Sequence, residues 1–240
     1  MLAERIATID EVLSPPGAAS AASWLTPGER ERLAELRNVA RARQWLAGRR
    51  LVKELVLENL EKSNMRPADI HIESRDGKEQ GSPPRVFLRG RLQPWRVSLS
   101  HSDQSVYAAI AFAGMSSVGV DIVLRRRLPD AFARWWLTPA ERAWLGFAAP
   151  EFTCLLWSLK ESWYKALGGN RPFIPRECDM TEAANLGLFS PAEVASQPRP
   201  CLRRDKHATI FCQWRPEEVA TIVQINRLAR AVAPFAARAA

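Results

Sequence analysis

The chain is poor in the residues that build zinc and redox sites. It has four cysteines and three histidines in 240 residues, and no two cysteines form a CxxC pair. Zinc ribbons and thioredoxin-like sites need such pairs, and a histidine-rich metal site needs more imidazoles. The composition therefore excludes these classes and predicts reduced, mostly buried thiols, as in a cytoplasmic protein.

Long apolar runs and several common catalytic motifs are missing as well. The longest apolar run, Val106 to Met115, has the length of a strand, whereas a membrane-spanning helix needs about 18 residues. Glu4, Asp10 and Glu11 stand where a signal peptide would be apolar. Neither a P-loop nor the nucleophile elbow of serine hydrolases is present. We expect an unexported, cytoplasmic protein.

The chain carries a marked excess of positive charge. It has 34 Lys and Arg residues against 26 Asp and Glu residues, a formal net charge of +8. Such a balance predicts anionic partners: phosphates, nucleic acid, an acidic protein or a membrane surface. At about 150 residues per domain, the length fits one large domain or two small ones.

Helical and strand patterns alternate along the chain and repeat weakly. Thr26-Pro27 opens a long helical pattern that ends before Asn64, whereas residues 1–13 fit either a strand or an irregular lead-in. Further helices are predicted at about 129–136, 138–147 and 151–168. Strands are predicted at 70–73, 86–88, 97–99, 106–113, 118–123, 207–214 and 218–226, and Gly81 to Pro84 as a loop. This weak internal repeat predicts two α+β halves, residues 1–116 and 117–240.

The predicted helix 151–168 carries a polar face. Trp157, Glu161 and Lys165 follow one another at intervals of four residues and therefore share one side of the helix. A carboxylate and an ammonium one turn apart could hold Mg²⁺ and a phosphate. The alternative is an ordinary surface pair worth only about 0.3–0.5 kcal/mol.

One acidic residue interrupts an apolar strand. Asp121 lies between Val120 and Ile122, and alternation places it on the same face as Gly119 and Val123. A buried carboxylate must be hydrogen-bonded, ion-paired or metal-bound, because burying it alone is costly. The alternative is an edge strand on which Asp121 faces water.

Cations and one histidine complete the candidate residues. His101 ends a predicted strand in Ser100-His101-Ser102, where it could bind a phosphate, move a proton or serve structure alone. The long helical pattern has many cations, either a solvated face or a phosphate clamp. They are Arg37, Arg41, Arg43, Arg49, Arg50 and Lys53.

Together these motifs resemble the 4'-phosphopantetheinyl transferases of the surfactin-synthetase type. The resemblance extends from about Leu25 to Asn226 and rests on ordered blocks. They are Ala47-Gly48-Arg49, Gly77-Lys78, Ser100-His101-Ser102, Gly119-Val120-Asp121-Ile122 and Trp157-Ser158-Leu159-Lys160-Glu161-Ser162-Trp163-Tyr164-Lys165-Ala166. The last two blocks are the most specific.

The resemblance implies an α+β pseudodimer of two similar subdomains with the active site at their interface. The reaction that it implies moves the phosphopantetheine arm of coenzyme A onto a serine of an acyl or peptidyl carrier protein and releases 3',5'-ADP. Mg²⁺ would be the cofactor. The carrier would be acidic and could serve fatty acid, polyketide or nonribosomal peptide synthesis. No nucleic acid or membrane partner is implied, and the pseudodimer plan predicts a monomer.

The resemblance also implies roles for residues of the second half. Asp121 and Glu161 would ligate Mg²⁺, and Lys165 would contact the phosphates and help activate the serine. Glu141, in Thr138-Pro139-Ala140-Glu141, matches a carboxylate proposed as the general base.

In the first half, the resemblance implies a nucleotide site. Ser100 and His101 would hold the 3'-phosphate or neighbouring phosphates, and Arg32, Arg43 and Lys78 would surround the nucleotide.

The chain departs from the family pattern at two places. Val123 stands where many members carry a second strand carboxylate, and Glu79 stands where proline is usual. Because Mg²⁺ readily keeps several waters, we expect activity without that carboxylate. Two alternatives remain open: a relative that binds coenzyme A or a carrier without turnover, and a basic nucleic-acid-binding protein. No known nucleic-acid-binding motif supports the second.

Overall fold

The protein divides into two compact units. The computed structural model describes residues 1–14, 21–60, 64–75, 81–112, 116–126, 128–146, 151–168 and 172–226. Unit 1 comprises Met1–Gly114 and unit 2 comprises Met115–Ala240. Both units combine helices with antiparallel sheets, which confirms the predicted α+β class.

Unit 1 places helices against a small antiparallel sheet. Its strands are β1 (Leu2–Thr8), β2 (Ile70–Arg75), β3 (Gly81–Leu88), β4 (Arg91–Leu92), β5 (Arg96–His101) and β6 (Ser105–Ala111). Its helices are α1 (Ile9–Leu13), α2 (Ala21–Trp24), α3 (Pro27–Glu35) and α4 (Val39–Asn59). One sheet has the order β1-β6-β5 and the other the order β2-β3-β4. Helix α4 packs on the first sheet and buries Leu51, Val52 and Val56 in the core.

Two predictions for unit 1 are wrong. The long helical pattern is two helices, because the Asn38 side chain caps a new helix by accepting a hydrogen bond from the Arg41 backbone N–H at 2.9 Å. The predicted loop Gly81 to Pro84 lies within β3, which pairs with β2 and has β4 on its other side. The undecided N-terminus forms β1 and α1.

Unit 2 places its longest helix against a four-stranded antiparallel sheet. Its strands are β7 (Ser116–Leu124), β8 (Cys201–Arg204), β9 (Ala208–Trp214) and β10 (Glu218–Asn226), in the order β7-β10-β9-β8. Its helices are α5 (Asp130–Trp136), α6 (Pro139–Leu145), α7 (Glu151–Leu167), α8 (Met180–Ala183) and α9 (Pro191–Ala195). The predicted helices α5, α6 and α7 and strands β7, β9 and β10 are confirmed.

Helix α7 is the central element of the core of unit 2. Its apolar side buries Leu155, Leu156 and Leu159 against β10, and it packs on β7 as well. All four cysteines are free thiols. No helix in the described ranges combines the length and apolar character that crossing a membrane requires.

Candidate functional site

A strand residue and a helix pair meet in unit 2. The Lys165 Nζ donates to Asp121 Oδ1 at 2.8 Å and to the Val120 carbonyl oxygen at 3.1 Å. It also lies 3.8 Å from Glu161 Oε2, one helical turn earlier. The structure thus brings together Asp121, Glu161 and Lys165, and both carboxylates face a single cationic position. We call these three residues the carboxylate cluster.

A missing side chain allows β7 and α7 to come close enough to form the cluster. A Cβ atom at Gly119 would lie 1.9 Å from the Ser162 carbonyl oxygen and 2.5 Å from the Ala166 nitrogen, far inside contact distance. Thr221, directly across from Asp121 on β10, contacts the Ser162 hydroxyl at 2.6 Å and binds the Ser158 carbonyl at 2.9 Å. Glycine and these hydroxyl contacts therefore set the strand–helix distance at the site.

The carboxylate cluster is partly withdrawn from water. Asp121 is 4% exposed although β7 lies at the end of the sheet order, so the alternative of a solvated edge carboxylate is wrong. Burial raises the pKa of Glu161, the Lys165 ammonium opposes this shift, and the Asp121 carboxylate reinforces it. The Lys165 side chain is 26% exposed and can reach solvent.

The donor atoms of the cluster suit a hard divalent cation. Two carboxylates that already share one ammonium can share a metal ion, and Mg²⁺ binds few protein oxygens and keeps several waters. In the described part of the chain, no group of three or more His, Cys, Asp or Glu side chains could hold a metal. Val123 packs against the core of unit 2 instead of supplying a third carboxylate. The residues present fit Mg²⁺ with two protein ligands.

Glu141 lies in a different environment. It is fully buried, and its Oε1 lies 2.7 Å from Lys160 Nζ and accepts the Met180 backbone N–H at 2.8 Å. Its Oε2 accepts the Thr138 backbone N–H at 2.8 Å, which closes a capping box at the start of α6. Burial raises the pKa of Glu141, and Lys160 opposes this shift. These contacts leave the carboxylate engaged in holding three segments together.

The same arrangement occurs in unit 1. Glu29 closes a capping box with Thr26, pairs with the buried Lys53 at 2.6 Å and accepts the Ile72 backbone N–H at 3.1 Å. Lys53 also donates to the Pro67 carbonyl, as Lys160 donates to the Pro175 carbonyl. A catalytic base needs no such duplicate, so this repetition favours a structural role for both glutamates.

Two of the predicted nucleotide-site residues, Arg32 and His101, interact with further arginines of unit 1. Arg41 contacts the His101 Nε2 atom, so this ring nitrogen accepts from a guanidinium. Burial is the main cause that lowers the pKa of Arg49 to about 10. The positive charges of Arg32 and Arg41 add to this shift, and the Glu29 carboxylate opposes it. We call Arg32, Arg41, Arg49 and His101 the cation cluster.

Arg49 is a buried member of the cation cluster, and the resemblance implied no separate role for it. Its side chain stacks 4.5 Å from the Trp45 ring and donates to the Ser74 hydroxyl at 2.5 Å. Its Nε is buried and has no hydrogen-bond partner in the described part of the chain. A buried guanidinium of this kind is costly unless an anion or acceptor completes it. Leu46 and Val52, three residues before and after Arg49, are the signal in the sequence that Arg49 lies on an apolar side of the helix.

The remaining predicted nucleotide-site residues have separate positions. Arg32 also pairs with Glu35 on its own helix, and Arg43 pairs with Asp10 at 2.5 Å on the exposed surface. Ser100 lies on β5 across from Tyr107. Lys78 lies outside the described residues.

Exposed aromatic residues lie near the helix that carries the carboxylate cluster. Trp157 on α7 packs edge-on against Trp136 and Phe132 of α5, with ring centroids 6.0 Å and 5.1 Å apart. On the outer side of α5, Trp135 is 68% exposed and Trp136 is 41% exposed. Large exposed aromatic side chains are typical of protein interfaces.

Comparison with protein families bears on a segment of unit 2. No curated protein matches the chain. A family model matches residues 117–213, about two fifths of the chain, and this segment contains Asp121, Glu141, Glu161 and Lys165. The family is the 4'-phosphopantetheinyl transferase superfamily, and this similarity supports a transferase that moves phosphopantetheine.

Proposed function

We propose that the protein is a Mg²⁺-dependent 4'-phosphopantetheinyl transferase of the surfactin-synthetase type, acting as a holo-acyl-carrier-protein synthase. It transfers the phosphopantetheine arm of coenzyme A to a serine of an acyl or peptidyl carrier protein. The observation that carries this proposal is the shared position of Asp121 and Glu161 around one ammonium nitrogen. The family match over the same residues supports it.

In this proposal, Asp121 and Glu161 hold the metal ion. When bound, Mg²⁺ neutralises charge on the pyrophosphate oxygens of coenzyme A and stabilises the leaving group. Phosphoryl chemistry relies mainly on positioning and charge neutralisation, so a site with few protein ligands suffices. Gly119 and the Thr221 contacts hold α7 close to β7 and β10, and α7 and β7 carry the two carboxylates.

Lys165 supplies the second cation of the site. Its ammonium is anchored to the Val120 carbonyl and is partly exposed, so it can donate to a phosphate oxygen. The serine Oγ gives up its proton to water at the site and forms the new bond to phosphorus, while the bond from that phosphorus to the bridging pyrophosphate oxygen breaks. The released 3',5'-ADP keeps that oxygen. Lys165 would steady negative charge on the transferred group during this exchange.

The cation cluster of unit 1 would bind anionic groups of coenzyme A. Arg49 has a buried Nε that a phosphate or other acceptor would complete, and Arg41 and His101 lie in mutual contact. Arg is well suited to phosphate because its planar donors bind two oxygens at once. Arg32 and Ser100 belong to the same proposal. Arg43 and Lys78 are proposed only on the strength of the resemblance.

The carrier protein would be acidic and would approach the exposed aromatic side of unit 2. A formal net charge of +8 favours association with an acidic partner in a salt-dependent way. Trp135 offers a large exposed side chain near the helix that carries Glu161 and Lys165. We do not assign the general base to Glu141, because all of its described contacts are structural.

The proposal is tested by incubating purified carriers with coenzyme A, Mg²⁺ and the protein. We expect one carrier to gain the mass of one phosphopantetheine arm, and Asp121→Asn to eliminate that gain while the protein stays folded. Binding of coenzyme A with no mass gain on any fatty acid, polyketide or peptide carrier would favour a non-catalytic relative. That alternative rests on Val123, which leaves the site one carboxylate short of the pattern common in the family.

A further inference from the structure

We infer that Lys165 is a built-in counter-ion that competes with the divalent metal, so that the metal and the pyrophosphate substrate bind cooperatively. This inference rests on the proposed function and adds that the binding of the metal and the binding of the substrate are coupled. It starts from the hydrogen bond between the Lys165 ammonium and Asp121 Oδ1, because Asp121 is one of the two proposed metal ligands.

The Lys165 ammonium and a divalent metal ion would compete for the same two carboxylates. The ammonium approaches Asp121 Oδ1 to 2.8 Å and Glu161 Oε2 to 3.8 Å. In proteins, Mg²⁺ lies about 2.1 Å from its oxygen ligands, so an ion held by Asp121 and Glu161 would lie close to this ammonium. An ammonium and a divalent ion that share one carboxylate repel each other at such short range. Release of Asp121 by Lys165 therefore favours metal binding.

The structure gives Lys165 a way to leave. Its side chain is 26% exposed, while Asp121 is nearly buried, so the ammonium can swing toward solvent on its flexible stem. A phosphate oxygen would accept the released ammonium. An anionic substrate that draws Lys165 away from Asp121 thereby raises the affinity for the metal, and the metal raises the affinity for the substrate by the same factor.

At the corresponding position of unit 1, a cation of the chain itself neutralises the helix carboxylates. Glu54 follows Lys53 as Glu161 follows Lys160, and Arg5 of β1 contacts both Glu54, at 3.4 Å, and Glu58. Unit 1 thus carries the cation on its strand and the carboxylates on its helix. Unit 2 carries a carboxylate on its strand, and the cation lies on the helix beside Glu161, where it can move.

The test measures Mn²⁺ affinity by electron paramagnetic resonance, with and without 3',5'-ADP and with and without coenzyme A, in the full chain. We expect Lys165→Met to bind Mn²⁺ alone about tenfold more tightly than the original protein, because a competing charge is removed. Lys165→Arg keeps the charge and should stay within about twofold of the original. Coenzyme A should raise Mn²⁺ affinity strongly in the original protein and much less in Lys165→Met.

Two results separate the failure of this inference from the failure of the proposed function. If Lys165→Met binds Mn²⁺ no more tightly than the original protein, the inference is overturned, while loss of binding in Asp121→Asn still supports the metal site. If Asp121→Asn binds Mn²⁺ like the original protein, the proposed metal ligands are wrong, and the inference falls with them. Circular dichroism and thermal unfolding check that each variant is folded.

Discussion

The two units share one buried ion pair and differ in the charged residues beside it. In both, a Thr-Pro-x-Glu helix start places a buried glutamate against a buried lysine, Glu29 with Lys53 and Glu141 with Lys160. In both, the next residue after that lysine is a glutamate that faces a strand. Unit 1 closes this position with Arg5, whereas unit 2 places Asp121 there and leaves the cation to Lys165.

This difference separates structural from functional ionic groups. A feature that both units carry at the same place serves what both units must do, which is to fold. The buried lysines also donate to backbone carbonyl oxygens of the segments that follow, so each pair joins a helix start, a long helix and a connecting segment. Among the described residues, unit 1 has Arg5 at the place of Asp121, so the proposed chemistry belongs to unit 2.

The largest expected effect comes from exchanging one of two corresponding glutamates, Glu161 of unit 2 or Glu54 of unit 1, for glutamine. We expect Glu161→Gln to reduce transfer by roughly 10²- to 10³-fold or more, the loss typical when an electrostatic stabiliser is removed. Nucleotide binding should weaken only partly. The matched variant Glu54→Gln should leave transfer unchanged, as measured by the mass gain of the carrier. Equal losses in both variants would abolish the functional distinction between the units.

The buried pairs should behave alike in the two units. Glu29→Gln and Glu141→Gln each leave a buried lysine without its carboxylate and should lower the free energy of unfolding by about 3–5 kcal/mol. The double variant Glu141→Gln with Lys160→Met should recover part of that loss. Chemical denaturation measures both effects.

The same variants test the general base implied by the resemblance. If Glu141 is structural, the folded fraction of Glu141→Gln keeps kcat within about tenfold of the original, whereas loss of a general base costs about 10²- to 10⁴-fold. A loss in that higher range, with unfolding free energy little changed, would restore Glu141 as a catalytic residue.

Two glycines provide the next comparison. Gly119→Ala should destabilise unit 2 by about 1–3 kcal/mol through overpacking and weaken Mn²⁺ binding, because β7 must move away from α7. Gly48→Ala in α4 meets only the Leu99 side chain at 3.6 Å, so it should be neutral or stabilising by up to about 1 kcal/mol. Denaturation and Mn²⁺ titration measure these effects. Intact Mn²⁺ affinity in Gly119→Ala would show that the cluster tolerates a wider strand–helix distance.

The smallest effects are expected among the cations of unit 1. Arg49→Met should raise the KM for coenzyme A about tenfold, since it removes a charged hydrogen-bond donor from a buried position. Arg43→Ala should raise the KM less, about two- to fivefold, because its exposed pair with Asp10 contributes little. Steady-state kinetics measures both. An unchanged KM in Arg49→Met would mean that its buried guanidinium serves the fold alone.

Elements with a strong hydrophobic period could be predicted from the sequence. The apolar spacing of α7 predicted both its buried side and the shared face of Glu161 and Lys165, and the alternation in β7 predicted that Asp121 faces the same way as Gly119. It failed at Leu36 to Asn38, where the apolar period continues and only the Asn38 cap marks a new helix. Strand β3 was missed in part because its two prolines are typical of loops.

Local period and residue type were enough to predict the fold class and the order of most elements, and they singled out Asp121, Glu161 and Lys165 as candidates. The joint role of these three residues was implied only by the family resemblance. The folded chain was needed to show that Glu141 holds Lys160 in a buried pair, that Glu29 repeats this role and that Arg49 lies buried beside Trp45. The physical reason is that the cost and the role of a charge depend on which partners surround it. Those partners lie far away along the chain and meet only when it folds.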